Sequence, residues 1–169
     1  MLYLLDANVL IDANRDYYPL GRVPEFWEWL IHMGKQELVK VPIEIYEEIR
    51  EGNDDDGLTL WSKDSETETS LLLREESVAT LVSHVIDNGY ASDLTDDEVE
   101  QIGRDPFLIA YALASIKDRC VVTSEGSKPG RKRANRHIPD ICKDLGISCC
   151  SAFEFTKQLN FNTNWEKSQ

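Results

Sequence analysis

The sequence has no apolar run approaching the roughly 20 residues that span a bilayer. Its N-terminal apolar stretch is cut by Asp6 and has no basic leader, so it does not read as a secretory signal. Cysteine is scarce: Cys120, Cys142, Cys149 and Cys150 form no C-x-x-C pair and no zinc-type spacing with histidine. Lying in short apolar segments, they read as buried free thiols. The three histidines, His32, His84 and His137, share no spacing that suggests a metal site. Basic residues are also in deficit: 18 Lys and Arg against 31 Asp and Glu leave a net charge of −13. That balance excludes a general nucleic-acid coat, which needs basic surface. It leaves room for a nuclease whose carboxylates hold metal ions. No repeat or low-complexity linker divides the 169 residues. The expectation is a cytoplasmic protein with no membrane association and one domain over residues 1–159, followed by a polar, fraying tail over 160–169.

What is present is an alternation of short apolar runs and helical periodicity. Runs at residues 2–5, 38–41, 120–123 and 147–150 predict four strands. Helical spacing is expected over 23–33, 42–51, 58–63, 71–86, 95–102, 105–116, 139–144 and 151–159, with Gly34 capping the first of these at its C-terminus. An acidic turn is expected over 53–57. Strands alternating with helices imply a parallel sheet covered on both faces. The fold class expected is α/β: a three-layer α/β/α sandwich with a central, mainly parallel sheet.

In open parallel sheets, sites form beyond the carboxyl ends of the strands. Four acids fall near such places: Asp6 after the first strand, Glu48 in the helix after the second, Asp105 at the start of the helix before the third, and Glu125 after the third. Each has a plain structural reading too. Asp105, before Pro106, is a possible helix N-cap; Glu48 shares a solvated face with Glu44 and Glu47; Glu125 is a loop acid. Asn8 likewise suits a helix N-cap. Taken together, the four acids suggest a cluster that repels itself unless protons or cations neutralise it. Hard divalent cations such as Mg²⁺ and Mn²⁺ take oxygen ligands of this kind.

One segment departs from the acidic background. Lys128, Arg131, Lys132, Arg133 and Arg136 fall within nine residues that contain no acid. Following Glu125 closely, they either guide a phosphate backbone toward the acids or form a solvated, partner-binding loop. His137 beside them is a further phosphate contact on the first reading. Phe26, Trp27 and Trp29 read as core or interface before base-stacking groups.

These blocks resemble those of the PIN-domain family, which includes metal-dependent ribonucleases and VapC-type toxins. Leu4-Leu5-Asp6-Ala7-Asn8-Val9-Leu10-Ile11 resembles its opening block, with Asp6 as the first metal-binding acid. Val41-Pro42-Ile43-Glu44-Ile45-Tyr46-Glu47-Glu48-Ile49 resembles the second, with Glu48 in the acid's place. Asp105-Pro106-Phe107-Leu108-Ile109-Ala110-Tyr111-Ala112 resembles the third. Val121-Val122-Thr123-Ser124-Glu125 resembles the fourth, with glutamate where aspartate is commoner. Ile138-Pro139-Asp140-Ile141-Cys142 is similar to a segment of a little-characterised PIN-like branch. The resemblance covers about residues 1–155.

It implies an endoribonuclease that uses one or two Mg²⁺ or Mn²⁺ ions. Asp6, Glu48, Asp105 and Glu125 would be metal ligands and catalytic groups, and Thr123 and Asn8 would orient them from behind. It also implies an RNA substrate, the toxin role in a toxin–antitoxin pair, an antitoxin protein as partner, and a homodimer. Two rival readings stand beside it: a non-catalytic interaction module on the same fold, and a DNA-directed or structure-specific nuclease.

Overall fold

The computed structural model describes residues 1–53 and 55–168. Asp54, in the expected acidic turn, and Gln169, at the end of the expected tail, lie outside the described residues. Strand β1 (Leu2–Leu5) leads into α1 (Ala7–Asp12), which continues as a π-helical turn over Ala13–Tyr17. Helix α2 (Pro24–Lys35) starts with a proline in its first turn, where a missing N–H costs nothing. Next come β2 (Val39–Pro42), α3 (Ile43–Arg50), α4 (Gly57–Lys63), α5 (Ser65–Leu71) and β3 (Leu72–Leu73). Helix α6 (Ala79–Val85) runs on as a π-helical turn over Ile86–Tyr90, followed by α7 (Asp96–Ile102), α8 (Asp105–Leu113) and β4 (Arg119–Thr123). The chain finishes with α9 (Ile138–Asp144), β5 (Ser148–Ser151) and α10 (Ala152–Gln158). Thr95 with Glu98, and Ser151 with Glu154, form the reciprocal capping boxes that start α7 and α10.

All five strands are parallel, in the order β3-β2-β1-β4-β5. Together with the ten α-helices among the described residues, the sheet makes a three-layer α/β/α sandwich. Leu4, Leu5, Val39, Val41, Val121 and Val122 are fully or almost fully buried, as strands covered on both faces require. The strand order has a functional consequence. The chain steps from β1 to β2 to β3 on one side, then crosses to β4 on the other. That reversal opens a crevice between the carboxyl ends of β1 and β4.

Three expectations needed correction. The helix expected over 71–86 is broken. Leu72 and Leu73 pair with Val41 and Pro42 as a fifth strand, and the helix restarts at Ala79. Gly34 does not cap α2. It lies inside the helix, and a Cβ there would meet the Ser70 carbonyl oxygen at 2.5 Å. The buried Lys40 stitches this close approach together, donating to the carbonyls of Gly34 at 3.1 Å and Ser70 at 2.8 Å. Finally, residues beyond 160 do not simply fray. Phe161 packs on Tyr18, Phe26 and Trp29, and the Trp165 indole N–H donates to the Glu25 carbonyl at 3.0 Å. Phe26, Trp27 and Trp29 are buried in this aromatic core, which removes them as base-stacking groups. No helix among the described residues is long and apolar enough to cross a membrane.

The Gly34 contact leads to a stability prediction. Gly34→Ala forces α2 away from α5 and should cost about 1–3 kcal/mol, the usual range for overpacking. Gly21→Ala, where a Cβ meets nothing within 4 Å, should be neutral. Thermal melts of the two variants check this; equal melting temperatures would refute the close-packing account.

Candidate metal centre

The site is built around the pairing of β1 with β4. Leu5 pairs with Val122, and the Asp6 N–H donates to the Val122 carbonyl at 2.9 Å, which extends the ladder by one residue. Asp6 therefore leaves the sheet beside Thr123. The Thr123 hydroxyl donates to Asp6 Oδ2 at 2.9 Å and accepts the Glu125 N–H at 3.2 Å. One buried threonine thus orients the first acid and fixes the turn that carries the fourth. Thr123 bears on Asp6 through its side chain. Asn8 does not: it lies in the first turn of α1 with its side chain exposed, and only its backbone N–H bears on Asp6.

Asp105 arrives by a different route. Helix α8 leads into β4 and so begins above the carboxyl edge of the sheet. Asp105 is the first residue of that helix, and Arg104 occupies the N-cap position, so Asp105 is not spent as a cap. Glu48 reaches the same region from α3. Arg104 lies between the two segments, donating to the Glu44 carbonyl at 2.8 Å and pairing with Glu51 at 2.8 Å.

Asp6 and Asp105 each feel the charge of the other acids. Burial pushes the Asp6 carboxyl up to about 6; the Thr123 hydroxyl and the Asn8 N–H pull it down, while Glu125 and Glu48 repel it. Asp105 is pushed up to about 8 by burial and by repulsion from Asp6, Glu125 and Glu48. Glu48 is raised by burial and by Glu51, against the pull of Arg104. Four segments far apart in sequence therefore bring their carboxylates within range of one another.

Glu125 faces a cleft of about 300 Å³ whose lining includes Gln101, Asp105, Arg131, Arg136 and His137. Its Oε2 accepts the Ile138 N–H at 2.7 Å, and His137 Nδ1 stands 3.8 Å from its Oε1. The Ile-Pro-Asp-Ile-Cys block thereby acquires a physical role. Ile138 anchors Glu125, and the Asp140 carboxylate accepts from Ser127 Oγ at 2.6 Å and the Lys128 N–H at 2.7 Å, tying down the loop.

The basic loop divides into two sets. Lys128, Arg131 and Lys132 are exposed, with Arg131 on the cleft. Arg133 instead pairs with Asp93 and Glu98, each at 2.7 Å, and Arg136 pairs with Asp144 and donates to the Gly89 carbonyl at 2.6 Å. Those two guanidiniums hold α7, α9 and the turn at Gly89 in place. Both are engaged in ion pairs, and Arg136 also lines the cleft. The acidic partners of Arg133, 35 and 40 residues away, gave no local signal of this. The four cysteines are free thiols; Cys120 and Cys142 are buried as expected, whereas Cys149 and Cys150 are half-buried.

A family model described as a domain of unknown function (DUF4411) matches residues 3–163. The chain belongs to that family. No curated protein and no solved structure matches it. The matched span includes all four acids and the basic loop.

The fit to a divalent cation can be judged from the donor set. Asp6 and Asp105, raised toward or above neutrality by burial and by the neighbouring acids, are hard oxygen donors. Their chemistry fits Mg²⁺ or Mn²⁺. Their present spacing is not that of a closed ligand cage: among the described residues, no three His, Cys, Asp or Glu side chains are set to hold a metal ion. Glu125 is turned to the Ile138 N–H.

The raised acids make metal-free stability depend on pH. A carboxyl whose folded pKa exceeds its unfolded value binds its proton more tightly when folded, so its stabilisation is complete below about pH 4. It is lost as pH rises through the folded values, about 6 for Asp6 and about 8 for Asp105. Without divalent cations, this contribution to stability should therefore fall between pH 4 and 8. Asp105→Asn should flatten the slope and raise the melting temperature at pH 8 by several degrees, each kcal/mol being worth roughly 2–4 °C in a domain of this size. Parallel slopes in the two proteins would contradict the shared acidic environment.

Proposed function

We propose that this protein is a metal-dependent endoribonuclease that hydrolyses RNA phosphodiesters, with the toxin role of a toxin–antitoxin pair. One observation carries the reading: at the switch point of a parallel sheet, Asp6 and Asp105 lie within electrostatic reach of each other and of Glu48 and Glu125. Asp6, Glu48, Asp105 and Glu125 would hold one or two Mg²⁺ or Mn²⁺ ions. Bound there, the cation supplies Lewis acidity toward the phosphate and its attacking water.

The chain's own residues do the rest. Thr123 keeps Asp6 in one rotamer, so the first ligand is preorganised. Arg131 on the cleft and the exposed Lys128 and Lys132 meet the phosphate backbone, a local basic approach on an acidic protein. Arg133 and Arg136 shape that loop without touching substrate. The toxin role, an antitoxin partner and a homodimer rest on the resemblance to PIN-domain proteins alone.

A second reading has an observation in its favour. The open spacing of the acids and the engagement of Glu125 with α9 suit a PIN-like interaction module that does no chemistry. A cleavage assay with Mn²⁺ separates the readings, using single-stranded RNA and matched DNA. RNA should be cut, and Asp6→Asn, Glu48→Gln and Asp105→Asn should each cut at least a hundredfold more slowly while remaining folded. An Asp6→Asn protein as active as the parent refutes the assignment. Preferential cutting of DNA moves the substrate, and no cutting of either favours the module.

A further inference from the structure

Most of the aromatic side chains near α1 and α10 are buried, but two are not. Tyr17 is 52% exposed and Phe153 is 58% exposed. The two rings meet in solvent, edge to face, with centroids 5.1 Å apart. A single exposed apolar residue is ordinary, whereas apolar groups gathered at a surface point to a partner. The pair borders an apolar notch of about 330 Å³ whose floor is the aromatic core: Tyr18, Phe26 and Phe155, with Val9 beside them. The centres of water-sized groups have about 20 Å³ within it, room for about one or two methyl-sized groups. A nucleobase is too large to enter. The Ser124 and Thr156 hydroxyls along the notch donate to the Asn8 carbonyl at 3.4 Å and the Phe153 carbonyl at 3.0 Å.

The notch is held in shape by the chain itself. The Trp27 indole N–H donates to the Tyr18 carbonyl at 2.7 Å, and the capping box of Ser151 with Glu154 fixes the turn that carries Phe153. A preformed surface of this kind costs little ordering when a ligand docks. Its charge is negative. Asp12 is the one charged residue lining the notch. Its partner Arg15, at 2.7 Å, also pairs with Asp16 at 2.6 Å, so one guanidinium serves two carboxylates. Glu154, next to Phe153, is bonded by the neutral N–H and hydroxyl of Ser151 and keeps its charge. Counting Lys157 as well, one turn along α10, the acids near the notch still outnumber the bases. A phosphate backbone is repelled by such a rim, and a cationic chain is drawn to it.

We propose that the Tyr17–Phe153 notch docks a segment of another protein, taking one aliphatic side chain flanked by Lys or Arg. The aliphatic group enters beside the two rings, and the flanking cations meet Asp12 and Asp16. Ser124 lines the notch and stands between Thr123 and Glu125, so the docked segment lies next to the acidic crevice. The proposal does not depend on a metal being bound there.

An NMR titration of the full chain at low ionic strength tests it, with two acetylated and amidated tripeptides, Lys-Leu-Lys and Glu-Leu-Glu, as probes. The basic peptide should shift the resonances of Val9, Tyr17 and Phe153 and bind about fivefold more tightly than the acidic one, the scale of screened surface charge pairs. Phe153→Ala and Tyr17→Ser, changes at exposed rings, should each abolish those shifts and leave the rest of the spectrum in place. Asp12→Asn should narrow the gap between the two peptides. No shift at the notch with Lys-Leu-Lys overturns the proposal, and equal affinity for the two peptides overturns its cationic partner. A single-stranded RNA hexamer that shifts Tyr17 and Phe153 more strongly than Lys-Leu-Lys does reassigns the notch to nucleic acid. Shifts of the same resonances that grow with protein concentration alone reassign it to a second copy of this chain.

Discussion

The hydrogen bond from Thr123 to Asp6 joins the ends of two strands that are 117 residues apart in sequence. It exists because β1 and β4 pair in parallel with Leu5 opposite Val122. That register sets the spacing at the crevice where the sheet reverses direction. A one-residue slip would turn Thr123 to the opposite face of the sheet. Asp6 would then keep its buried position and lose its only side-chain donor. The rest of the site follows from the same register. The turn after Thr123 carries Glu125 to the N-terminus of α9, and α8 must begin above the sheet edge to deliver β4, which places Asp105 opposite Asp6.

Holding like charges together works against stability, and the surrounding structure shows how that opposition is contained. Arg104 is pinned between α3 and the start of α8, where it moderates Glu48. Arg133 and Arg136 tie the segment after β4 to α7 and α9 by ion pairs. Asp140 holds the start of that segment through Ser127 and Lys128. These contacts keep the acids near one another without neutralising them. A domain assembled for stability alone would have little reason to bury Asp6 and Asp105 in each other's field.

Much of this was legible before any coordinates. Four strands appear as short apolar runs because parallel strands buried on both faces must be apolar throughout. Asp6 stands out because it ends the first of those runs. The two-residue β3 was not legible: Leu72-Leu73 is too short to carry any period, and the leucines around it continue a helical pattern. Gly34 and Lys40 misled or were silent for a related reason, since both answer to the Ser70 carbonyl, which only the packing of α2 on α5 brings near. Arg133 and Arg136 looked like free basic charge because their acidic partners lie on other elements.

The central claim is that Asp6, Glu48, Asp105 and Glu125 converge in order to share a divalent cation. A crystal grown with Mn²⁺ and examined by anomalous scattering tests it most directly. The account predicts an anomalous peak between Asp6 and Asp105, at the roughly 2.0–2.2 Å from carboxylate oxygens typical of a small hard divalent cation, with Glu48 and Glu125 drawn toward it. An ordered cleft with no such peak, its carboxylates as far apart as in the metal-free fold, would contradict it.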